Sequence, residues 1–377
     1  MEADFNFHNK LIFGSRMLNA ARTEGLIPSE QYSDKQNTAE DGSFDKILQG
    51  DISRQKRLPM SIISADAANC YDRVHHTIMA LVFLSLGVRT GAIKAMLQSI
   101  QLMKFFLRTG WGESTDCFGG DALRILHGLC QGNGAAPAAW LALSSVLIVA
   151  YKLLGYGSKI MSPITKTWLN IMGVIYVDDT DLYIMDECVK SSIDIWEDSQ
   201  GALTAWGKLL IATGGMLKLE KCFYYFVDYE WQDDGSWVYS DMVDWELLVP
   251  QSDGSETPIE QLPVDESKKT LGIWTNPAGD CTKQLEIIRG KVEKWTDRLQ
   301  AGKLPSKWAW VSYFHQLWSQ LRYGLGCNSS AVEDLEAEED EGGHLRKLYR
   351  RMLPYLGVNR NIKAGWRHLH SSFSGIG

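Results

Sequence analysis

The sequence lacks the features that mark secreted, disulfide-rich, zinc-binding and membrane-spanning proteins. The 377 residues include seven cysteines, and no two of them form a C-x-x-C motif. An odd number of scattered cysteines argues against a disulfide framework and against a zinc knuckle. The N-terminus, MEADFNFHNK, has no basic segment followed by an apolar one, so we expect an intracellular protein, nuclear or cytoplasmic, that is not secreted. The longest apolar run, at 138–154, is interrupted by polar residues, and we expect no membrane partner.

Charge is distributed very unevenly along the chain. Residues 228–267 contain 12 acidic residues and no Lys or Arg, and residues 333–341 contain seven acidic residues and again no base. Residues 344–377 carry seven Lys or Arg and no acid. The net charge of −8 therefore hides an excess of positive charge over the rest of the chain. A local basic surface attracts phosphate groups, although a simple solvated basic face is the alternative for the tail.

Two adjacent aspartates, Asp178 and Asp179, stand between two apolar runs. The run 171–177 precedes them and another follows, a pattern that predicts a strand, a tight turn and a strand. A third aspartate, Asp66, follows the apolar stretch 60–65. Paired acids repel each other and usually need a cation, and three carboxylates at the ends of neighbouring strands would suit two magnesium ions. This chemistry is typical of nucleotidyl transfer, although Asp179 could instead only close the turn.

The third informative segment is Gln131-Gly132-Asn133-Gly134-Ala135-Ala136-Pro137. Its small residues let another chain approach the backbone closely, and its proline suits the first turn of a helix. A loop-to-helix junction that needs small residues explains the segment equally well, so the residues alone leave both interpretations open.

Together, three segments resemble the successive palm motifs of a reverse transcriptase. They read D-A-A-N-C-Y-D-R-V from Asp66, Q-G-N-G-A-A-P from Gln131 and Y-V-D-D-T from Tyr176. The type is similar to the enzymes of retrotransposons without long terminal repeats and of group II introns. The resemblance continues at 213–222, which is similar to a G-x-x-L-x-x-x-K segment, and at Thr270-Leu271-Gly272, which is similar to the primer-grip L-G.

The resemblance implies a role for each matching residue of the catalytic centre. Asp66, Asp178 and Asp179 would be the catalytic carboxylates that bind two Mg²⁺ ions, with Mn²⁺ as an alternative ion. Lys221 would lie near the triphosphate and neutralise or protonate the pyrophosphate leaving group, unless it is only a solvated lysine at a strand edge. Tyr71 would be the aromatic steric gate that excludes a ribose 2′-hydroxyl, unless it is only a core aromatic.

The remaining implied residues bind nucleotide, template or primer. Gln131 and Gly132 would line the pocket for the template and the incoming nucleotide, and Leu271 and Gly272 would form the primer grip. Related enzymes carry a fingers segment similar to G-F-R-x-G-R-S, whose arginines bind the triphosphate. The corresponding stretch here, 31–37, lacks the glycines and arginines and retains one base, Lys35.

The fold implied by the resemblance is an α+β, right-hand polymerase fold. It would have a ferredoxin-like antiparallel palm sheet, interleaved fingers and a helical thumb. We expect the first part of the fingers in 1–58 and the palm in 59–275, with a fingers segment at about 88–130 and an acidic hairpin insert at 228–267. A helical thumb and a basic tail would follow in 276–377.

Three functions are compatible with the sequence. The first is RNA-directed DNA synthesis by a retrotransposon protein, with an RNA template, a DNA or RNA primer and dNTPs as partners. The second is a catalytically inert, reverse-transcriptase-like remnant that binds nucleic acid. The altered fingers segment favours the remnant, whereas the three aspartates argue against it, and Arg54, Lys56 and Arg57 are nearby bases that could replace the missing arginines. The third is an RNA-directed RNA polymerase, which Tyr71 and the Y-V-D-D sequence disfavour.

Overall fold

A computed structural model describes most of the chain as two compact units, 1–264 and 265–377, and each is described here by itself. The described residues are 3–68, 70–121, 125–130, 132–188, 191–240, 245–251, 255–324, 326–327 and 351–358. The acidic run 333–341 and most of the basic tail lie outside them.

The first unit combines helices with one large sheet and several small hairpins. Its described α-helices are α1 (Ala3–Asn9), α2 (Leu18–Thr23), α3 (Ala39–Lys56), α4 (Cys70–Arg73), α5 (His76–Ser85), α6 (Thr90–Gln101), α7 (Ala136–Leu153) and α8 (Ser192–Ala212). A π-helical segment, Lys10–Met17, joins α1 to α2, and a 3₁₀ turn spans Leu219–Lys221. The longest helices, α3, α7 and α8, pack on or near the large sheet.

The strands of this unit are given in chain order. They are β1 (Met60–Ser64), β2 (Lys104–Thr109), β3 (Gly112–Gly119), β4 (Ser158–Met161), β5 (Trp168–Ile171), β6 (Gly173–Tyr176), β7 (Asp179–Asp186), β8 (Phe223–Val227), β9 (Tyr229–Trp231), β10 (Trp237–Tyr239), β11 (Leu248–Pro250), β12 (Glu256–Pro258) and β13 (Glu260–Leu262). The large sheet has the order β13-β8-β1-β7-β4-β5, and β6 pairs with β7 outside this path. The pairs β2–β3, β9–β10 and β11–β12 form separate two-stranded hairpins.

The α+β class is confirmed, and the large sheet is mixed. β1 is antiparallel to both β7 and β8, as expected. However, β4 is parallel to β7 and β13 is parallel to β8, so the prediction of an antiparallel sheet is wrong at these two pairs. The chain reverses at the hairpins β4–β5 and β6–β7, and two reversals leave β4 and β7 pointing the same way. The division of the chain into fingers, palm and thumb stays a prediction.

The centre of the large sheet is formed by strands that are apolar on both faces. β1 and the 182–185 stretch of β7 are almost completely buried, which is typical of strands covered on both sides. Helix α8 packs on β1 and β7, and α3 packs on β6 and β7.

Helix α7 is long and apolar enough, by length and composition, to cross a membrane. Its mean hydropathy is 1.5, and it is the one described helix that meets this test. In the folded unit, 67% of its length is buried, and it packs against α5 and α8. This burial is what the core helix of a globular unit shows.

The second unit begins with a hairpin and continues as helices. Its described elements are β14 (Lys268–Thr270), β15 (Ile273–Thr275), α9 (Thr282–Gly302), α10 (Ser306–Ser312), a π-helical segment (Tyr313–Trp318) and α11 (Ser319–Arg322). Apolar residues of α9, such as Trp295 and Leu299, pack with Ala309 and Leu317 in one core. The described part of 276–377 is therefore mainly helical with a common core, and its role as a thumb stays a prediction.

The hairpin β6–β7 requires a glycine at its first residue. Gly173 has a φ of 149°, and a Cβ atom placed there would lie 2.0 Å from the carbonyl oxygen of Asp181. We expect Gly173→Ala to lower the free energy of unfolding by about 3 kcal/mol, because the strands must separate. Gly91, which has nothing within 4 Å of such an atom, is the matched control.

The control substitution, Gly91→Ala in helix α6, should be neutral or stabilise the protein by about 0.5 kcal/mol. Urea denaturation of the two variants measures the difference. Equal unfolding midpoints for both would show that the close approach of β6 and β7 is not required.

Candidate functional site

The adjacent aspartates lie at the tip of a tight hairpin. Tyr176 of β6 is opposite Asp179 of β7, so Val177 and Asp178 form the turn. Val177 has a φ of 58°, a left-handed conformation that is rare for a β-branched residue. The indole N–H of Trp140 in α7 donates a 2.6 Å hydrogen bond to the carbonyl oxygen of Val177. Helix α7, which begins at Ala136 within the segment 131–137, therefore holds the turn in place.

Asp66 reaches this hairpin because β1 pairs with β7. The amide of Ala65 donates a 2.7 Å hydrogen bond to the carbonyl oxygen of Thr180, and the amide of Ala67 donates one of 3.4 Å to that of Asp178. Asp66 lies between these two hydrogen bonds, beside the tip of the hairpin. The structure therefore brings the predicted aspartates together, and their catalytic role stays a prediction.

Asp179 is surrounded by other acids. Partial burial, together with the negative charges of Asp178, Asp181 and Asp66, raises the pKa of Asp179 from 3.8 to about 6. The positive charge of Lys221 acts in the opposite direction. The site therefore concentrates negative charge at the end of two central strands, which favours the binding of a cation.

Lys221 is the cation that the structure brings to the aspartates. It ends the 3₁₀ turn and donates a 3.1 Å hydrogen bond to Oδ2 of Asp66, which raises the pKa of the Lys221 amine. The side chain of Lys221 is 56% exposed, whereas that of Asp66 is 16% exposed. The amide of Lys218 also donates to the Asp66 carbonyl oxygen at 2.8 Å. The sequence did not predict this pairing, which leaves the ammonium group accessible to solvent.

Tyr71 lies beside the same site, on helix α4. Its ring centroid is 6.1 Å from that of Trp140, and it packs against the core while remaining partly exposed. Burial raises the pKa of Tyr71 to about 12, with the neighbouring Cys70 and Asp178 adding to the rise. Its position agrees with both interpretations from the sequence, because the ring packs on the core and also lies near Asp178.

The other predicted nucleotide or template residues are Gln131, Gly132 and Lys35, of which two lie within the described part of the chain. Gln131 lies outside the described residues. Gly132 is exposed and has a φ of 90°, which glycine adopts readily. Lys35 is exposed in a turn, and no interaction in the described part of the chain joins it to Asp66 or to the hairpin.

The predicted primer-grip residues lie in the second unit. Leu271 and Gly272 connect β14 to β15, with φ values of 50° and 89°. Two consecutive positive φ angles are typical of a type I′ hairpin turn. The hydroxyl of Tyr323 donates a hydrogen bond to the Leu271 carbonyl oxygen. The predicted contact of these residues with a primer stays a prediction.

A buried ion pair behind the hairpin was missed by the sequence analysis. Nζ of Lys46 in α3 lies 2.9 Å from Oδ2 of Asp181, and the two side chains are 6% and 4% exposed. Asp181 follows Asp179 by two residues, so both project from the same face of β7. An acid within the apolar 180–185 stretch was the available signal, because a buried carboxylate requires a partner. The pair ties α3 to the strand that carries Asp179.

The basic residues near the end of α3 have partners of their own, and their role in place of the fingers arginines stays a prediction. Lys56 lies 2.7 Å from Glu187 in an ion pair, and the guanidinium of Arg57 lies over the Trp237 ring. Both precede the start of β1, whereas Asp66 follows its end.

The donor chemistry of the aspartates fits magnesium. Carboxylate oxygens are the ligands that Mg²⁺ prefers, and the raised pKa of Asp179 reflects negative charge that a divalent cation would neutralise. Among the described residues, however, no group of three or more His, Cys, Asp or Glu side chains converges as a ligand cluster. The carboxylates are gathered at one place without forming a closed ligand set.

The raised pKa of Asp179 predicts a pH effect on stability. Between about pH 4 and pH 6 the unfolded chain loses the Asp179 proton before the folded protein does, so folding becomes less favourable as the pH rises. We expect Asp179→Asn to remove this component, so that the variant gains stability relative to the unmodified protein across this window and the gain stays constant above pH 6. Urea denaturation of both proteins from pH 3.5 to 8 measures it, and a pH-independent difference would contradict the crowding of acids.

Comparisons with known proteins give only distant matches. No protein-family model matches the sequence, and no curated protein matches it. The structure is similar to solved structures of telomerase, a reverse transcriptase. Telomerase from Candida tropicalis in complex with a TWJ fragment of telomeric RNA is 11% identical, with 95% of this chain and 53% of that chain covered and a TM-score of 0.43.

Two further telomerase structures are similar to the same degree. Telomerase from Candida albicans in complex with a TWJ fragment of telomeric RNA is 13% identical, with 92% of this chain and 50% of that chain covered and a TM-score of 0.35. The apo telomerase of Candida tropicalis is 12% identical, with 90% and 52% covered and a TM-score of 0.39. This chain spans about half the length of the telomerase chains it matches, and the similarity is distant and structural.

Proposed function

We propose that this chain is the reverse transcriptase domain of a retrotransposon protein, which adds dNTPs to a primer 3′-hydroxyl on an RNA template. The observation that carries the proposal is the β1–β7 pairing, which sets Asp66 beside Asp178 and Asp179. Carboxylates gathered at the end of central strands suit phosphoryl transfer, in which positioning and charge stabilisation supply most of the catalysis.

Asp66, Asp178 and Asp179 are the residues that hold two Mg²⁺ ions in this proposal, with Mn²⁺ as an alternative. Bound there, the ions supply acidity to the primer hydroxyl and positive charge to the β- and γ-phosphates. The raised pKa of Asp179 supports cation binding at these residues. Burial and acidic neighbours raise this pKa to about 6. A cation at the site would stabilise the ionised form of each carboxylate.

Lys221 and Tyr71 complete the proposed centre. Lys221 is oriented by its hydrogen bond to Asp66 and has an exposed ammonium group, so it binds the phosphates of the incoming nucleotide and neutralises the departing pyrophosphate. Tyr71 lies between the core and Asp178, and its ring excludes a 2′-hydroxyl from the sugar pocket.

A second candidate is a catalytically inert remnant that binds nucleic acid. Two observations favour it. Lys221 already occupies one oxygen of Asp66, and the fingers stretch retains Lys35 without the arginines of related enzymes. Primer extension with Mg²⁺ separates the two candidates, because a protein that binds primer–template and forms no product would be the remnant. Incorporation of NTPs in preference to dNTPs would instead indicate an RNA polymerase.

We expect Asp178→Asn to reduce primer extension on an RNA template by at least about a hundredfold, because the variant loses a charged ligand at the centre of the reaction. Binding of the primer–template, measured by fluorescence anisotropy, should change little. Asp116→Asn is the matched control, since Asp116 is an exposed acid on β3, and it should retain full activity. Undiminished synthesis by Asp178→Asn would rule out the metal-binding role.

We expect Tyr71→Ala to admit ribonucleotides, because the pocket would lose the ring that excludes the 2′-hydroxyl. The ratio of kcat/KM for dNTP to that for the matching NTP should fall by about tenfold or more, which corresponds to about 1.4 kcal/mol. Tyr71→Phe keeps the ring and should keep the ratio. If Tyr71→Ala discriminates as well as the unmodified protein, the residue serves only in packing.

A further inference from the structure

A second concave site lies at the opposite end of β1 from the aspartates. β8 runs antiparallel to β1, with Val227 opposite Met60 and Phe223 opposite Ser64. The hairpin β9–β10 follows β8 directly and therefore lies where β1 begins, whereas Asp66 follows the end of β1. At about 3.3 Å per residue, β1 separates the two places by roughly 13 Å.

The hairpin β9–β10 presents an aromatic face. Tyr229 is opposite Tyr239, and Trp231 is opposite Trp237. Alternate residues of a strand share a face, so all four rings lie on one side of the hairpin. The hydroxyl of Ser53 in α3 lies 2.9 Å from that of Tyr229, which fastens the hairpin to α3. Trp231 is 65% exposed.

Arginines from the end of α3 meet this aromatic face. Arg57 ends the helix in a left-handed conformation, with a φ of 53°. Its guanidinium carbon lies 4.0 Å from the centre of the Trp237 ring and 5.8 Å from that of Tyr229. Nε of Arg57 is buried, and no described atom accepts a hydrogen bond from it. A buried donor without a partner is costly. Because Arg57 also lines the cavity described next, the accessible part of its guanidinium suits an acceptor brought by a ligand.

The arginines and the hairpin line an open cavity of about 540 Å³. Its lining residues are Asp51, Arg54, Gln55, Arg57 and Trp237. Arg54 is in an ion pair with Asp51, so the charge of Arg57 is the one not balanced within the cavity. The volume is within the range of small-ligand sites, and the aromatic, guanidinium and amide groups suit the base and the phosphate of a nucleotide.

We propose that this cavity binds a nucleotide unit. The guanidinium of Arg57 binds the phosphate, since a planar guanidinium matches phosphate oxygens. The base stacks on the Trp237–Arg57 layer, as unpaired bases stack on aromatic rings and on guanidinium planes. The amide of Gln55 supplies a donor and an acceptor for the base edge.

The surrounding charges favour one nucleotide unit over a duplex. Asp233 and Asp234 lie exposed in the loop of the hairpin, and their negative charges repel a long phosphate backbone. The ligand is therefore a free nucleotide or one unpaired nucleotide of a strand. This proposal goes beyond the polymerase proposal and does not depend on it, because the cavity and the aspartates lie at opposite ends of β1.

The test is a binding experiment on the full chain without divalent cations, so that nucleotides are not held through a metal at the aspartates. Isothermal titration with AMP and fluorescence anisotropy with a short single-stranded RNA measure the two sources of the ligand, and inorganic phosphate is the competitor. We expect Arg57→Met and Trp237→Leu each to weaken binding by at least about tenfold. Arg89→Met and Trp111→Leu, which change exposed residues outside the cavity, should leave it unchanged.

The outcomes separate the sources and the alternatives. Binding of AMP, with or without RNA, identifies a free-nucleotide site, and binding of RNA without AMP identifies an unpaired nucleotide of a strand; each of these outcomes supports the proposal. The proposal is overturned if neither ligand binds, or if the control variants lose as much affinity as the cavity variants do. It is also overturned if two results occur together: phosphate competes as well as AMP does, and Trp237→Leu has no effect. Asp178→Asn should bind normally, so loss of synthesis and loss of this site are distinguishable.

A second variant covers the case in which Trp237→Leu unfolds the hairpin, which near-UV circular dichroism would reveal. Gln55 is exposed, so Gln55→Ala should fold normally. It should bind AMP several-fold more weakly than the unmodified protein does, while its competition by inorganic phosphate stays the same. An unchanged affinity for AMP in Gln55→Ala, together with an unchanged affinity in folded Arg57→Met, would also overturn the proposal.

Discussion

The candidate site depends on the antiparallel pairing of β1 with β7. This pairing carries Asp66 to the tip of the β6–β7 hairpin, more than a hundred residues further along the chain. The register matters, because a shift of one residue would turn each side chain to the other face of the sheet. Gly173 allows β6 to approach β7, and Trp140 holds the turn at Val177. The β1–β7 pairing, Gly173 and the Trp140 hydrogen bond thus together fix the positions of the aspartates.

Gathering acids at one point is unfavourable, and two lysines offset part of this cost. Lys221 pairs with Asp66 at the surface and stays accessible to solvent, whereas Lys46 pairs with Asp181 in the interior. The exposed pair contributes little stability. The buried pair is costly to break, because removal of one partner leaves an uncompensated charge. It therefore fixes α3 against β7, while the exposed pair leaves Lys221 able to exchange partners.

The two ends of β1 differ in charge and in chemistry. The C-terminal end of β1 leads to Asp66 and a cluster of carboxylates. Its N-terminal end follows Arg57 and lies near the aromatic hairpin β9–β10. This second end is built from the basic end of α3, with Arg54, Lys56 and Arg57, and from the acidic segment 228–267. One short strand thus connects a cluster of carboxylates to a cavity lined by arginines.

The sequence by itself determined the local elements of this protein. Apolar runs ending in Asp66 and in Asp178-Asp179 predicted the strands and the tight turn, because hydrophobic periodicity and turn chemistry are short-range properties. Only the tertiary structure decided which side chains meet. The parallel pairs β4–β7 and β8–β13, the Lys221–Asp66 contact, the buried Lys46–Asp181 pair and the Arg57–Trp237 stack all join residues far apart in the chain. Such contacts depend on how the whole sheet is assembled, and no local pattern of residues encodes that.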